Sequence, residues 1–460
     1  MADRSAGRDE CLKYYIKTYG CQMNVNDSEV IAGLLDGAGY SESPSPDTAD
    51  IILINTCCIR QKAEDKAFGY ALSLLSHKMR NPKRILGFVG CMAEKDKHDI
   101  FRKLPFFDLV VGPGQEARIV QLIEETSTGG EKIISTGDFC GEYPERQAKR
   151  KPATQAFVTI MIGCDNFCSY CIVPYVRGRE VSRPKEEILD EVRSLDKNIF
   201  KEVVLLGQNV NSYKYGLANL LKAINNLEPA TKSRGSNGCE EPRILFSGSE
   251  SSLERIRFIT SHPRDMSDDI INVVADLPKV CEYFHLPLQS GDDKILKAMN
   301  RGYTSDHYRK LVNKIRNKIP EAAITSDAIA GFPGETDEQF KNTLKLIREL
   351  ELDLVNTLAF SVRPGTAAAK MDGQVPEKVK KERLQELMKV VEETAGRKNQ
   401  KLKDTIQEVL VEQSLDDRWF SRTRGNKVVR FASKDDLIGK LINVRITKPG
   451  PFVLEGEPVN

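Results

Sequence analysis

Cys164, Cys168 and Cys171 stand in the run Gly163-Cys164-Asp165-Asn166-Phe167-Cys168-Ser169-Tyr170-Cys171, a CxxxCxxC spacing. Three thiolates fill three corners of a cubane iron–sulfur cluster and leave the fourth iron without a protein ligand. An open coordination site is where a small molecule can bind and react. Zinc favours four ligands in paired CxxC units, and no second CxxC is present. A second set of cysteines lies upstream. Cys21 stands in Thr18-Tyr19-Gly20-Cys21-Gln22-Met23-Asn24, Cys57 in Asn55-Thr56-Cys57-Cys58-Ile59-Arg60, and Cys91 in Val89-Gly90-Cys91-Met92-Ala93-Glu94. They are 36 and 34 residues apart, about one βα unit each.

The elements that must position these thiols are legible as alternation. Over the first 150 residues, strand-like runs at 14–18, 50–55 (DIILIN), 84–89 (RILGFV) and 108–111 alternate with helix-like runs at 27–38, 60–77, from 93, and 115–124. Near-continuous apolar strands between helices argue an α/β domain with a doubly wound parallel sheet. In such a sheet the carboxyl ends of the strands share one edge, and ligand sites gather there. Cys21, Cys57 and Cys91 each follow one of the first three strands, so they can converge. Gly20 and Gly90 beside them suit a backbone turning sharply around a bulky cofactor.

Residues 142–151 (EYPERQAKRK) are polar and basic and read as a linker. From 156 the alternation resumes over six units, with strands expected at 157–162, 203–206, 256–260, 283–286, 324–329 and 354–360. Six βα units fit an open (βα)₆ partial barrel. Residues 229–250 are rich in Ser, Gly, Glu and Lys and read as a surface insertion. A charged helix over about 376–403 leads into a short β-rich tail. The expected boundaries are an N-terminal domain at 11–141, a linker at 142–155, a core at 156–376, a connecting helix at 377–403 and a β-domain at 404–460.

A chain of 460 residues with 40% hydrophobic and 29% charged residues suits a protein of two to four domains with real cores. No apolar run reaches the roughly 18 residues of a membrane span. The start Met1-Ala2-Asp3-Arg4-Ser5 lacks a secretory h-region, so a cytoplasmic location is expected. Eleven cysteines in a chain this long do not read as a disulfide framework. Cys11, Cys140, Cys239 and Cys281 have no motif around them and read as free structural thiols. The net charge of +2 decides nothing about nucleic acid. Residues 397–450, however, carry 13 Lys or Arg against 7 Asp or Glu. A small basic β-domain with an exposed aromatic suits phosphate and stacked bases.

CxxxCxxC with an aromatic, Tyr170, just before the last cysteine resembles the radical S-adenosylmethionine (SAM) enzymes. The continuation Ile172-Val173-Pro174-Tyr175-Val176-Arg177-Gly178-Arg179-Glu180-Val181-Ser182-Arg183-Pro184 resembles the methylthiotransferase branch, and within it the MiaB-type tRNA enzymes. The resemblance runs from about Tyr14 to the end of the chain. It implies SAM chelated at the open iron of a [4Fe–4S] cluster on Cys164, Cys168 and Cys171, and its cleavage to methionine and a 5′-deoxyadenosyl radical. It also implies an auxiliary [4Fe–4S] cluster on Cys21, Cys57 and Cys91, from the TYGCQMN, NTCxIR and GCMAE segments. Of the adjacent pair Cys57 and Cys58, only one is expected to face that cluster, because neighbouring strand-end residues point in different directions. The family pattern selects Cys57. The two centres are expected to face each other across a shared cavity, one making a radical and the other holding sulfur.

Other positions follow from the same resemblance and from strand-end placement. Tyr170, Gln208, Asn209, Gln289, Ser290, Asp327, Gly331 and Phe332 are the expected SAM-contacting residues. His262 and His285, each a lone histidine near a strand end, read as structural. Arg363 is a candidate for the SAM carboxylate, an RNA phosphate or a surface acid. The run Arg422-Thr423-Arg424-Gly425-Asn426-Lys427-Val428-Val429 resembles a TRAM domain, a small RNA-binding β-barrel, with Arg422, Arg424, Asn426, Lys427 and Arg430 as RNA contacts. No catalytic residue is expected beyond the cluster ligands. The implied reaction is methylthiolation at C2 of an N6-isopentenyl-type adenosine at position 37 of tRNA, read from the anticodon stem-loop. An external one-electron donor and a sulfur donor are implied as partners of a monomer. Sibling branches that act on N6-threonylcarbamoyladenosine or on a ribosomal-protein aspartate are the alternatives within the family. A non-catalytic, zinc-containing RNA-binding protein is the alternative outside it.

Overall fold

The computed structural model describes residues 11–58, 61–137, 148–227, 253–415 and 418–459. The 229–250 insertion, residues 142–147 of the expected linker, Cys140 and Cys239 lie outside them. The chain divides into two compact units. One comprises residues 1–151, 162–181 and 363–366; the other comprises 152–161, 182–362 and 367–460. The CxxxCxxC segment therefore belongs to the same unit as the N-terminal sheet, and the C-terminal strands belong to the same unit as the (βα)₆ core. The five-part division expected from sequence had separated both of these pairs.

The first unit is built on six parallel strands, β1 (Lys13–Tyr19), β2 (Ser41–Glu42), β3 (Ile51–Thr56), β4 (Ile85–Gly90), β5 (Leu109–Val111) and β6 (Ile133–Ser135), in the order β2-β1-β3-β4-β5-β6. All six residues of β3 are buried, as a strand covered on both faces requires. Helices cover two apolar clusters. One contains Ile31, Leu35, Leu53 and Leu122; the other contains Ile52, Ile54, Phe88 and Phe107. The strand order reverses between β1 and β3, the place where an open α/β sheet parts its loops and leaves a crevice.

The second unit carries six parallel core strands, β7 (Gln155–Thr159), β10 (Glu202–Leu206), β11 (Arg255–Phe258), β12 (Tyr283–His285), β13 (Ala323–Ala330) and β14 (Leu354–Ala359). Short strands β8 (Met161–Ile162) and β9 (Val181–Ser182) flank the CxxxCxxC segment. The core strands form two ladders, β11-β10-β7 and β12-β13-β14, with an isolated parallel bridge between Ile256 and Val280 just ahead of β12. This is the expected α/β partial barrel. One large apolar cluster fills it, from Val158 and Phe258 to Ile324 and Leu387.

Helix Glu377–Gln400 leads into a closed barrel of β15 (Ile406–Leu415), β16 (Arg418–Thr423), β17 (Val428–Phe431), β18 (Leu441–Pro449) and β19 (Val453–Val459), in the order β15-β16-β17-β19-β18. Alternating inward residues Val409, Val411, Val429, Val444 and Ile446 fill it. Trp419 and Phe431 join that core, so the aromatics next to the basic run are not exposed for stacking, contrary to expectation. Phe452 is the exposed aromatic of the barrel.

Candidate functional site

The three strand ends that carry Cys21, Cys57 and Cys91 are β1, β3 and β4, which surround the reversal of strand order. Cys21 is the N-cap of the helix Gln22–Gly37. Cys91 opens the helix Cys91–Asp96 directly after β4. A buried amide network fixes this geometry. Asn24 Nδ2 donates to Asn55 Oδ1 (3.1 Å) and to the Thr56 carbonyl (3.0 Å). Asn55 Nδ2 donates to the Asn24 carbonyl and to Ser28 Oγ, both at 2.9 Å. Thr56 Oγ1 donates to the Val89 carbonyl at 2.7 Å. The ends of β1, β3 and β4 are thus stitched side by side through side chains as well as through the ladder.

Gly90 has φ +91°, and a Cβ there would strike Asn55 Oδ1 and the Thr56 carbonyl. A Cβ at Gly20 would strike the Asn24 side chain. Both glycines are required by the amide network.

The thiols meet. Cys21 hydrogen-bonds with Cys57, and Cys58 with Cys91. The bond from Cys57, set against burial and helped by the Arg177 charge, holds the Cys21 thiol down at about 6. The Cys58 bond likewise lowers Cys91 against its burial, with Arg177 assisting, while the reciprocal contact and burial push Cys58 up. Cys21 and Cys91 are thus the thiols favoured as thiolates, the form that binds metal. Both members of the Cys57–Cys58 pair touch another cysteine, where only one was expected to face the group. Cys57 follows β3 and Cys58 sits in the bend beyond it, so strict alternation no longer applies.

The CxxxCxxC segment packs in the same unit. Gly163 has φ +77°, and any Cβ would collide with the Arg179 carbonyl, so glycine is obligatory there. The Cys164 N–H donates to the Gly178 carbonyl (3.1 Å), closing the base of the loop. The Cys171 N–H donates to the Cys168 carbonyl (2.9 Å), and Phe167 takes φ +45° between them. Burial raises the Cys164 thiol. Ile172 and Val176 join Cys58, Cys91 and Met92 in one apolar cluster. Tyr170 is half-buried in this loop. Among the described residues no three His, Cys, Asp or Glu side chains close on a single ion, as a zinc site needs. Thiols at strand ends and in a glycine-based loop suit a larger group that spans the gaps itself.

The second unit supplies a polar edge. Beyond β10, β11 and β12, six buried side-chain atoms have no hydrogen-bond partner: Gln208 Oε1, Asn209 Oδ1, Asn211 Oδ1, Ser261 Oγ, His262 Nε2 and Gln289 Oε1. Buried polar atoms are nearly always paired. Six orphans at these strand ends suit a polar ligand bearing both donors and acceptors, such as the amino, ribose and adenine groups of SAM. Strain sits in the same place. Thr260 has φ +72° and Gln289 φ +69°, conformations costly for a β-branched or long side chain. Asn209 Nδ2 is oriented by Asp265 (2.8 Å). His262 accepts from the Arg264 N–H at Nδ1 (3.3 Å), and burial with the nearby Arg301 charge lowers it to about 3, so the imidazole is neutral. Sequence reasoning left Asn211 and Ser261 out of the ligand set and read His262 as structural; their positions directly after strands were the available signal.

Other expected contacts are committed elsewhere. Ser290 is fully buried, 3.3 Å from Thr343 Oγ1, and accepts from the Asp292 N–H. Asp327 accepts from Asn356 (2.9 Å) and lies 3.3 Å from His285 Nε2. Phe332 is fully buried against Phe360. A Cβ at Gly331 would lie 2.6 Å from Lys380 Cγ, and its N–H donates to Glu335. Gly331 and Phe332 therefore help build the core. Arg363 pairs with the buried Glu64 at 2.8 Å.

All five expected RNA contacts likewise have protein partners. Arg422 pairs with Glu412 and reaches the Asn426 side chain. Arg424 forks onto Glu282 (2.7 and 2.8 Å). Lys427 pairs with the buried Asp353 (2.7 Å) and with Asn399. Arg430 pairs with Glu455. Arg424 and Lys427 fasten the small barrel to the (βα)₆ core.

The sequence pattern of the radical SAM superfamily matches residues 158–347, and that of "Uncharacterized protein family UPF0004" matches residues 13–112. In fold the chain is similar to the radical S-adenosylmethionine methyltransferase TsrM from Kitasatospora setae, with TM-score 0.58 and 13% identity over 78% of this chain and 74% of that one. It is also similar to the cobalamin-dependent S-adenosylmethionine radical enzyme OxsB, with TM-score 0.51 and 10% identity over 83% and 56%. Partial barrel, glycine-based CxxxCxxC loop and orphaned polar edge define a radical SAM enzyme. Two curated relatives narrow the class. Both are tRNA-2-methylthio-N(6)-dimethylallyladenosine synthases. The protein of Carboxydothermus hydrogenoformans is 44% identical over 96% of this chain and 98% of its own length, and that of Clostridium novyi is 42% identical over 97% and 96%. The chain belongs to this family of methylthiotransferases.

Proposed function

We propose that the protein attaches a methylthio group to C2 of N6-dimethylallyladenosine at position 37 of tRNA. Two [4Fe–4S] clusters and SAM are its cofactors, the first cluster held by Cys164, Cys168 and Cys171 and the auxiliary one by Cys21, Cys57 and Cys91. When bound, these groups supply radical abstraction of an unreactive aromatic hydrogen and an exchangeable site for sulfur. The chain's own residues do the rest. The Asn24–Asn55 network holds three strand ends in register. Gly163 permits the tight base of the CxxxCxxC loop. Gln208, Asn209, Asn211 and Gln289 offer acceptors to SAM, neutral His262 offers its Nε2–H as a donor, and the Ser261 hydroxyl can do either. The small barrel is read as a TRAM domain, with Arg422, Arg424, Asn426, Lys427 and Arg430 at its RNA contact. A one-electron donor and a sulfur donor complete the reaction in the cytoplasm.

The observation that carries this reading is the placement of both cysteine sets within one compact unit. Radical generation and sulfur handling on one nucleoside need that nearness. Nucleoside analysis of tRNA from a deletion strain tests it. The 2-methylthio-N6-isopentenyladenosine pool is expected to vanish and N6-isopentenyladenosine to accumulate. An unchanged pool refutes the substrate assignment.

A further inference from the structure

One buried charge has no part in that scheme. Arg177 ends the helix Val173–Arg177 that follows the CxxxCxxC loop. Its side chain is 6% exposed, and its Nη2 donates to Asp27 Oδ2 at 2.8 Å; the Asp27 side chain is 3% exposed. Asp27 lies on the helix that Cys21 caps. Arg177 also hydrogen-bonds to Cys91. Ile172 and Val176, on the same short segment, pack with Cys58, Cys91 and Met92. The guanidinium is therefore clamped, with a carboxylate at one side and the thiols of the auxiliary set at the other.

A buried ion pair is a poor way to gain stability, because desolvation consumes most of the attraction. Apolar side chains would fill this position as well. What a guanidinium adds is a planar fork of donors that stays charged at any working pH. Hydrogen bonds to sulfur and local net charge set the potential of an iron–sulfur centre. Partners behind the ligands orient them.

We propose that Arg177 is the positioning residue of the auxiliary centre: held by Asp27 against Cys91, its guanidinium favours the additional negative charge that the centre carries when reduced or when an anionic sulfur species is bound. The proposal rests on the reading that Cys21, Cys57 and Cys91 hold a cluster. It assigns the two partners opposite effects. Asp27 offsets part of the Arg177 charge, so removing either one moves the centre in a different direction.

The test is an anaerobic redox titration, followed by electron paramagnetic resonance, of the full chain. Cys164, Cys168 and Cys171 are replaced by alanine so that only the auxiliary centre reports. Arg177→Met is expected to lower the reduced-to-oxidised ratio about tenfold at the parent's midpoint, which is 59 mV for a one-electron couple. Asp27→Asn is expected to raise that ratio. Arg177→Lys keeps the charge but loses the fork, and is expected to shift in the Arg177→Met direction by less. Unchanged midpoints, or shifts of one sign in Arg177→Met and Asp27→Asn, overturn the proposal. Loss of iron from both variants with the fold intact overturns it too, leaving a purely structural clamp. If the parent itself assembles no cluster on Cys21, Cys57 and Cys91, the iron count shows that the underlying reading has failed instead.

Discussion

The two sites of this protein are built by opposite strategies. At the N-terminal strand ends every polar group of the Asn24–Asn55 network is used, and the thiols bond to one another. At the edge of the (βα)₆ core six buried polar atoms have no partner, and two side-chain-bearing residues sit at positive φ. The first site is held by its own frame and waits for an inorganic group that thiols bind strongly. The second carries stored polarity and strain that a ligand must satisfy. Substitution should therefore damage the first site through assembly and the second through affinity.

The largest effect is expected for Asn55→Ala. It removes the hydrogen bonds that fix β3 beside the helix behind Cys21, each worth about 1 kcal/mol. Thermal unfolding should register a loss of about 3 kcal/mol, and anaerobic reconstitution should lose the auxiliary irons while those on Cys164, Cys168 and Cys171 stay. Equal loss from both sites would erase the contrast.

The adjacent pair sharpens the first side of the comparison. Cys57→Ala is expected to abolish auxiliary iron binding, and Cys58→Ala to retain it, by iron assay and by the spectrum of the reduced protein. The reverse pattern would transfer the ligand role to Cys58, whose contact with Cys91 makes that exchange geometrically open.

Ser261→Ala probes the other strategy. It deletes a buried hydroxyl that has no partner in the free protein. Stability should hold or rise slightly, while SAM affinity falls about tenfold, near 1.4 kcal/mol. Equilibrium binding and a melting curve on one preparation check both halves. A loss of stability with SAM affinity unchanged would break the comparison.

The last effect is absent at neutral pH and appears only in acid. His262 titrates at about 3 in the folded chain and near 6.5 when unfolded. Between these values the unfolded chain takes up a proton that the folded chain refuses, so stability present above pH 6.5 is lost as pH falls toward 3. His262→Asn should flatten that acid limb in denaturant titrations, with no change above pH 7.

Much of this was readable from spacing. Cys21 and Cys91 beside their glycines and the CxxxCxxC run mark themselves, Cys57 is marked by its place after a strand, and β3 is buried throughout because helices cover both its faces. The polar edge was half legible. Gln208, Asn209 and Gln289 follow strands, but Asn211 and Ser261 look like ordinary turn residues until their burial is known. The packing role of Gly331 was hidden because the contact that requires it, Lys380, is 49 residues away. The ion pairs of the basic run at 422–430 were hidden for the same reason, since its partners Glu282 and Asp353 are distant in sequence. Charge that looks free along the chain is neutralised in the fold. Arg177 was hidden altogether. Only the fold brings the end of the CxxxCxxC helix to Asp27 and Cys91.

The most direct measurement is the iron content of protein reconstituted with iron and sulfide in the absence of air, compared with a variant in which Cys21, Cys57 and Cys91 are all alanine. About eight irons per chain are expected, as two cubane clusters require, and about four in the variant. Equal iron content in both proteins, or zinc in place of iron, would contradict the account.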